Sequence, residues 1–149
     1  MELSQFTDYS LRLLIFIGLR SNQESAGFVS VREISTAYDI SQNHLVKVAH
    51  RLNQLGYLKT LRGRGGGIAL EMSPENINVG AVIRQTENLA IVECLGRNGT
   101  CCLAPACELK RALARARDAF LKTLDGYSLA DLLGPREALL ASLSSSLKL

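Results

Sequence analysis

The chain has 149 residues, a net charge of +3, 47% hydrophobic and 21% charged residues, values that fit one ordinary domain or a small domain with an appended assembly element. An ordinary apolar share leaves no need for disulfide stapling. The longest early apolar run, Leu13 to Ile17, is far too short to span a bilayer, and MELSQFTDYS lacks a basic n-region and a cleavage site, so a soluble cytoplasmic protein with reduced thiols is expected.

Phe6 to Arg20 reads as a first helix, with Phe6, Leu13, Phe16 and Ile17 in one apolar stripe and Asp8, Arg12 and Arg20 off it. The polar SNQESAG reads as a loop. In SVREISTAYD, Ser30 and Glu33 have the spacing of a capping box, which predicts a short helix from Val31 to about Tyr38. Asp39, Ile40 and Ser41 make a tight connection, Ser41 supplies a second N-cap, and a longer helix runs to Leu55 before a glycine stop at Gly56.

That longer helix has two faces. Leu45, Val48, Ala49, Leu52 and Leu55 recur at steps of three and four and should pack inward, while Asn43, Lys47, His50 and Gln54 recur on the other side. Two helices joined by a short turn, the second with a basic outer face, form a helix-turn-helix pattern. The charge distribution agrees with it. Between Ile40 and Leu70 there is no Asp or Glu, yet Lys47, Arg51, Lys59, Arg62, Arg64 and both histidines, His44 and His50, fall there. Such a segment is the electrostatic footprint of a surface that faces phosphates. Ser41, Gln42, Asn43, His44, Lys47 and Arg51 are therefore candidate contacts to bases and phosphates of double-stranded DNA.

After Gly56 the period changes. YLKTLR and IALEM are β-prone runs flanking GRGGG, whose tip needs glycine's freedom in φ, so a hairpin wing is expected, with Arg62 and Arg64 directed at the minor groove or its phosphates. A phosphate-cradling nucleotide loop is disfavoured, because a strand-like run follows the glycines instead of a helix. Pro74 separates the wing from a helix over Val79 to Thr86. Pro105 is expected in the first turn of a long amphipathic helix reaching Leu124, with the stripe Leu109, Leu113, Ala116, Phe120 and Leu124. Such a helix, attached to a small DNA-binding unit, suits dimerisation. A short helix, SLADLL, and a serine-bearing tail with little structure signal close the chain.

All four cysteines, Cys94, Cys101, Cys102 and Cys107, lie in ECLGRNGTCCLAPACEL. Structural zinc sites usually show close pairs or an interleaved histidine pair, whereas the gaps here are wide and histidine is absent from the segment. Disulfides are disfavoured by the compartment, and adjacent Cys101 and Cys102 could pair only in a strained ring. Iron–sulfur ligation suits the spacing better, because it needs thiolates converging from a loop near a helix start. Cys94, Cys101 and Cys107 are the favoured ligands. Cys102 could fill the fourth position, but neighbouring cysteines reach two corners of one cluster with difficulty, which argues for a non-cysteine ligand from elsewhere.

FTDYSLR, SQNHLVKV, GRGGGIAL and CLGRNGTCCLAPACELKRAL together resemble the Rrf-two group of winged-helix iron–sulfur regulators, over nearly the whole chain to about Leu133. The resemblance implies a homodimeric repressor on a palindromic operator, with a [4Fe-4S] cluster, or alternatively [2Fe-2S], that senses nitric oxide. It implies cluster ligation by Cys94, Cys101 and Cys107, with Cys102 as the alternative to Cys101. It also implies a fourth ligand, Asp8 from the other subunit, with Arg12 one turn on as its hydrogen-bond partner. A second branch of the group, sensing iron–sulfur or redox state to regulate cluster biogenesis, carries a histidine a few residues beyond the last cysteine. Here ELKRALAR has none. The expected fold is mainly α: a winged helix-turn-helix over residues 1–78, a connecting helix and cluster loop over 79–108, and a dimerisation helix with its tail over 105–149. No enzymatic activity is expected.

Overall fold

The computed structural model describes residues 2–21, 28–96 and 99–147; most of the SNQESAG segment, and Arg97 and Asn98 of the cysteine loop, lie outside them. The chain is mainly helical, with α1 (Gln5–Ser21), α2 (Val31–Tyr38), α3 (Gln42–Gln54), β1 (Leu58–Leu61), β2 (Gly67–Leu70), α4 (Val79–Thr86), α5 (Glu108–Asp125), α6 (Leu129–Leu132) and α7 (Arg136–Leu147).

The helix α1 is the centre of the molecule. Leu13, Leu14, Phe16, Ile17 and Leu19 are almost fully buried, and the helix packs on α3, α4, α6 and β2. Two polar residues go inside with it, and each is satisfied: the Ser10 hydroxyl donates to the Phe6 carbonyl at 2.7 Å, and Thr7 meets the Ser4 hydroxyl at 3.2 Å.

The start of α2 follows from its capping box. The Ser30 hydroxyl accepts from the Glu33 amide while the Glu33 carboxylate accepts from the Ser30 amide, so two otherwise unpaired donors are satisfied. Asp39 then turns left-handed at φ 53° and aims the chain into α3. Ser41 occupies the N-cap of α3, but its side chain makes no capping hydrogen bond, contrary to the sequence expectation. The amides of His44 and Leu45 already bond the Ser41 carbonyl, and the hydroxyl is left exposed. At the other end Gly56 has φ 82°, the left-handed geometry that stops the helix.

The wing is an antiparallel pair in which Leu58 faces Leu70 and Leu61 faces Gly67. Val29 adds a third short rung: its amide donates to the Ile68 carbonyl, and the Ile68 amide donates back, both at 2.8 Å. The hairpin is thereby tied to the lead-in of α2.

Two expectations for the second half are corrected. The long helix starts at Glu108, not around Pro105, because residues 101–106 form successive turns and the Cys107 thiol caps the helix instead. The serine-bearing tail is helical over Arg136–Leu147; α7 packs on α2, Leu143 joins the main core, and the Arg136 guanidinium donates to the Leu19 carbonyl. The α5 helix packs on α4 through a small second core, in which Leu121 lies buried with Val79 and Ile83, flanked by Phe120 and Leu124. Leu121 was not part of the expected stripe, and Leu109, which was, is 66% exposed. Asn78 and the Arg84–Asp125 ion pair fasten the two helices at their ends. Among the described residues no helix is long and apolar enough to cross a membrane.

Candidate nucleic-acid interface and cysteine loop

Burial of Leu45, Val48, Ala49 and Leu52 fixes the rotation of α3, and everything opposite them faces outward. Ser41, Gln42, Asn43, His44, Lys47 and Arg51 are all exposed, as expected for groups that meet another molecule. They do not form one uniform front. The His44 ring sits 6.2 Å, centroid to centroid, from the Tyr9 ring of α1, so it marks the flank of α3 nearest α1. Farther along, His50 and Gln54 bond each other at 3.1 Å. Asn43 and Lys47 share the outward face with His50, and Val46, which the sequence pattern did not single out, is 54% exposed on the flank away from His44.

Arg62 and Arg64 stand exposed at the tip of the wing. The tip turns through Gly63 and Gly65, both at positive φ, and Gly66 packs so closely on the Leu61 carbonyl that a side chain there would collide with backbone. The arginines therefore project from a turn whose shape depends on its glycines. The expected interface is thus one basic surface made of the exposed face of α3 and the wing, with no acidic residue between Ile40 and Leu70 to oppose a phosphate.

The α1 helix touches both helices of this motif through side chains near its start. Asp8 is partly exposed and accepts from the Arg12 guanidinium at 3.0 Å, the i,i+4 pair expected from the sequence. Arg12 also lies 5.9 Å over the ring of Tyr38, the last residue of α2, which packs edge-on against Phe16. Burial pushes the Tyr38 hydroxyl above its ordinary pKa, an effect Arg12 partly offsets, so the phenol stays neutral. From Asp8 two contacts thus lead into the helix-turn-helix: through Arg12 to the end of α2, and through the neighbouring Tyr9 to His44 on α3.

The cysteine loop begins with a 3-10 turn over Glu93–Leu95. Thr100 donates to the Glu93 carboxylate from its amide at 3.3 Å and from its hydroxyl at 2.9 Å. Gly99 lies against Cys94, where a Cβ would stand 2.8 Å from the Cys94 Cα. This clamp closes the loop and sets Cys94 and Cys101 beside its two ends. Cys107 is the N-cap of α5, its Sγ accepting from the Lys110 amide at 3.4 Å. Cys102 and Cys107 border a shallow depression of about 290 Å³. All four cysteines are free thiols, Cys101 and Cys102 exposed and Cys94 and Cys107 half-buried.

Among the described residues, no three Cys, His, Asp or Glu side chains converge closely enough to hold a metal ion by themselves. The donor chemistry nevertheless fits an iron–sulfur cluster: reduced, accessible thiols on one clamped loop, one of them at a helix start. All four thiols belong to this one loop, whereas Asp8 lies apart from them on α1 and is engaged with Arg12. Beside the loop, a cleft of about 690 Å³ opens between Leu3, Leu89, Ile91, Leu113 and Phe120.

Comparison with known proteins agrees with this architecture. The Rrf2 family profile, described as an iron-dependent transcriptional regulator, matches residues 3–135. The HTH-type transcriptional regulator NsrR of Geobacillus kaustophilus is 46% identical to this chain over 99% of it and 97% of the relative. The NsrR of Bacillus subtilis is 48% identical over 92% and 93% respectively. Among solved structures, CymR, the global cysteine regulator of B. subtilis, superposes with a TM-score of 0.69 at 28% identity, covering 89% of this chain and 95% of that one. T. potens IscR shares the fold, with a TM-score of 0.71 at 22% identity, covering 89% of this chain and 86% of that one.

Proposed function

The chain belongs to the Rrf2 family of DNA-binding transcriptional regulators, which are not enzymes, and from that premise we propose that it is a homodimeric repressor that releases its operator in response to nitric oxide. Cys94, Cys101 and Cys107 would hold an iron–sulfur cluster, with Cys102 able to stand in for Cys101, and the second copy's Asp8 would complete the set. When bound, a [4Fe-4S] cluster, or alternatively [2Fe-2S], supplies irons that nitric oxide can attack.

The chain's own residues do the rest. Cys107 is positioned at the start of α5, where its sulfur accepts from the Lys110 amide, and the Glu93–Thr100 clamp holds the Cys94 and Cys101 ends of the loop together. Arg12 steadies the Asp8 carboxylate while it is not a ligand. As a ligand to a cluster on the other copy's loop, Asp8 would hold α1 in one position. Were Asp8 released, α1 would be free to shift, and its contacts from Tyr9 to His44 and from Arg12 to Tyr38 would carry the shift into both helices of the DNA-binding motif. A two-fold dimer would read a palindromic operator with one α3 in each of two successive major grooves, the wing arginines on the flanking minor groove or its phosphates. The exposed Leu109 and the apolar cleft beside the loop are suited to burial against the second copy.

The observation that carries this reading is the gathering of accessible thiols outside the core on one clamped loop that ends at a helix cap. The experiment is anaerobic purification followed by absorption and native-mass measurements during a nitric-oxide titration, with operator binding followed alongside. Cluster loss and operator release should proceed together. Release by chelators or mild oxidants, with nitric oxide inert, would instead make the protein an iron or redox sensor of the cluster-biogenesis kind.

A further inference from the structure

Val46 is the one large aliphatic side chain exposed on the outer surface of α3, at 54%. A singly exposed valine needs no explanation on most surfaces. Its position here does. Asn43, Val46, Lys47 and His50 stand at i, i+3, i+4 and i+7, a single stripe along the helix, while Leu45, Val48, Ala49 and Leu52 on the opposite side are buried. His44 lies to one flank against Tyr9, Asn43 and Lys47 occupy the middle of the outward face, and Val46 stands exposed on the flank away from His44, beside Asn43 and His50.

In the major groove the apolar target is the 5-methyl group of thymine, and the polar edges of the other bases give an aliphatic side chain nothing to pair with. A β-branched residue in a helix has one strongly preferred χ1, so its methyl groups are presented at a fixed place with little entropy to lose on binding. We propose that Val46 is a specificity-determining residue that packs on the methyl group of one thymine in each operator half-site. This rests on the reading that α3 enters the major groove.

The test uses an operator selected by the full-length, cluster-loaded protein from random duplexes, with each thymine replaced in turn by deoxyuridine, which lacks only that methyl. Affinity should fall roughly fourfold at one thymine per half-site, the effect of one buried methyl-sized group. Val46→Ala should weaken binding to the unmodified operator by a similar factor and become indifferent to uracil at that position, while unfolding at the wild-type temperature because the site is exposed. Uracil tolerated at every position, or Val46→Ala as sensitive as the wild type, would overturn the proposal. Asn43→Ala and Lys47→Ala separate this from failure of the underlying reading. If both bind DNA like the wild type, α3 is not the reading helix and the proposal falls with that reading. If they lose affinity while Val46 shows no coupling to a methyl, only the Val46 assignment fails.

Discussion

The winged helix closes on itself, whereas the segment from Ala90 to Cys107 does not. In the first region α1, α2, α3 and the hairpin share a core that runs from Leu13 to Ile68, the capping groups of α2 are reciprocally paired, and the buried hydroxyls have partners. In the second, no described residue is buried, Leu103 is 67% exposed, and the loop is held by local turns and the Glu93–Thr100 clamp. A segment that buries little apolar surface has little with which to offset its own ordering entropy. The first region is thus a reader held together by its own core, and the second is suited to change state without unfolding the reader.

If that contrast holds, stability should respond steeply to changes in one region and hardly at all in the other. The largest effect is expected at Leu45, which is fully buried: Leu45→Ala should cost about 2–5 kcal/mol in denaturant unfolding, against less than about 0.5 kcal/mol for Leu103→Ala. Equal losses would erase the distinction. Removing the cap with Ser30→Ala should cost about 1 kcal/mol by the same measurement.

Glu87 gives a smaller effect with a definite pH sign. Partial burial raises its pKa, but the Ser4 amide, the Thr7 and Ser4 hydroxyls and the Asn88 amide outweigh this and bring it below the ordinary value. A depressed carboxylate contributes stability above its unfolded-state pKa and loses it as pH falls through the folded-state one. The small deficit of Glu87→Gln should therefore be full at neutral pH and vanish in acid; a deficit that grows on acidification would contradict the assignment. Smallest of all should be Cys107→Ser in cluster-free protein, whose unfolding is expected to match the wild type although its iron content after anaerobic reconstitution is lost. Cys102→Ser should retain iron, and its failure to do so would make Cys102 the ligand in place of Cys101.

Much of the reader was legible in the sequence because its signals are local. Ser30 and Glu33 announced α2, the inward stripe of α3 was visible at its helical steps, and Gly56 marked the stop. What was missed depends on tertiary contacts. REALLASLSSSL has no apolar face to betray a helix; α7 stands because it packs on α2, while the Ser144 and Ser145 hydroxyls fold back onto carbonyls one turn earlier. The first turn expected at Pro105 moved because the thiol of Cys107, not the proline, ends the turns before α5. In the site, spacing pointed to candidate thiols, but the clamp depends on Gly99 lying against Cys94, which no linear pattern reveals. Val46 was overlooked because an apolar residue on α3 is by default assigned to the core.

The coupling between the two regions is tested most directly by operator affinity measured anaerobically, before and after nitric oxide, for cluster-loaded wild-type protein and Asp8→Ala. The wild type should lose about a thousandfold or more on exposure, the gap between specific and non-specific binding, whereas Asp8→Ala should show a much smaller change. Asp8→Ala releasing the operator on nitric oxide as fully as the wild type would contradict the account.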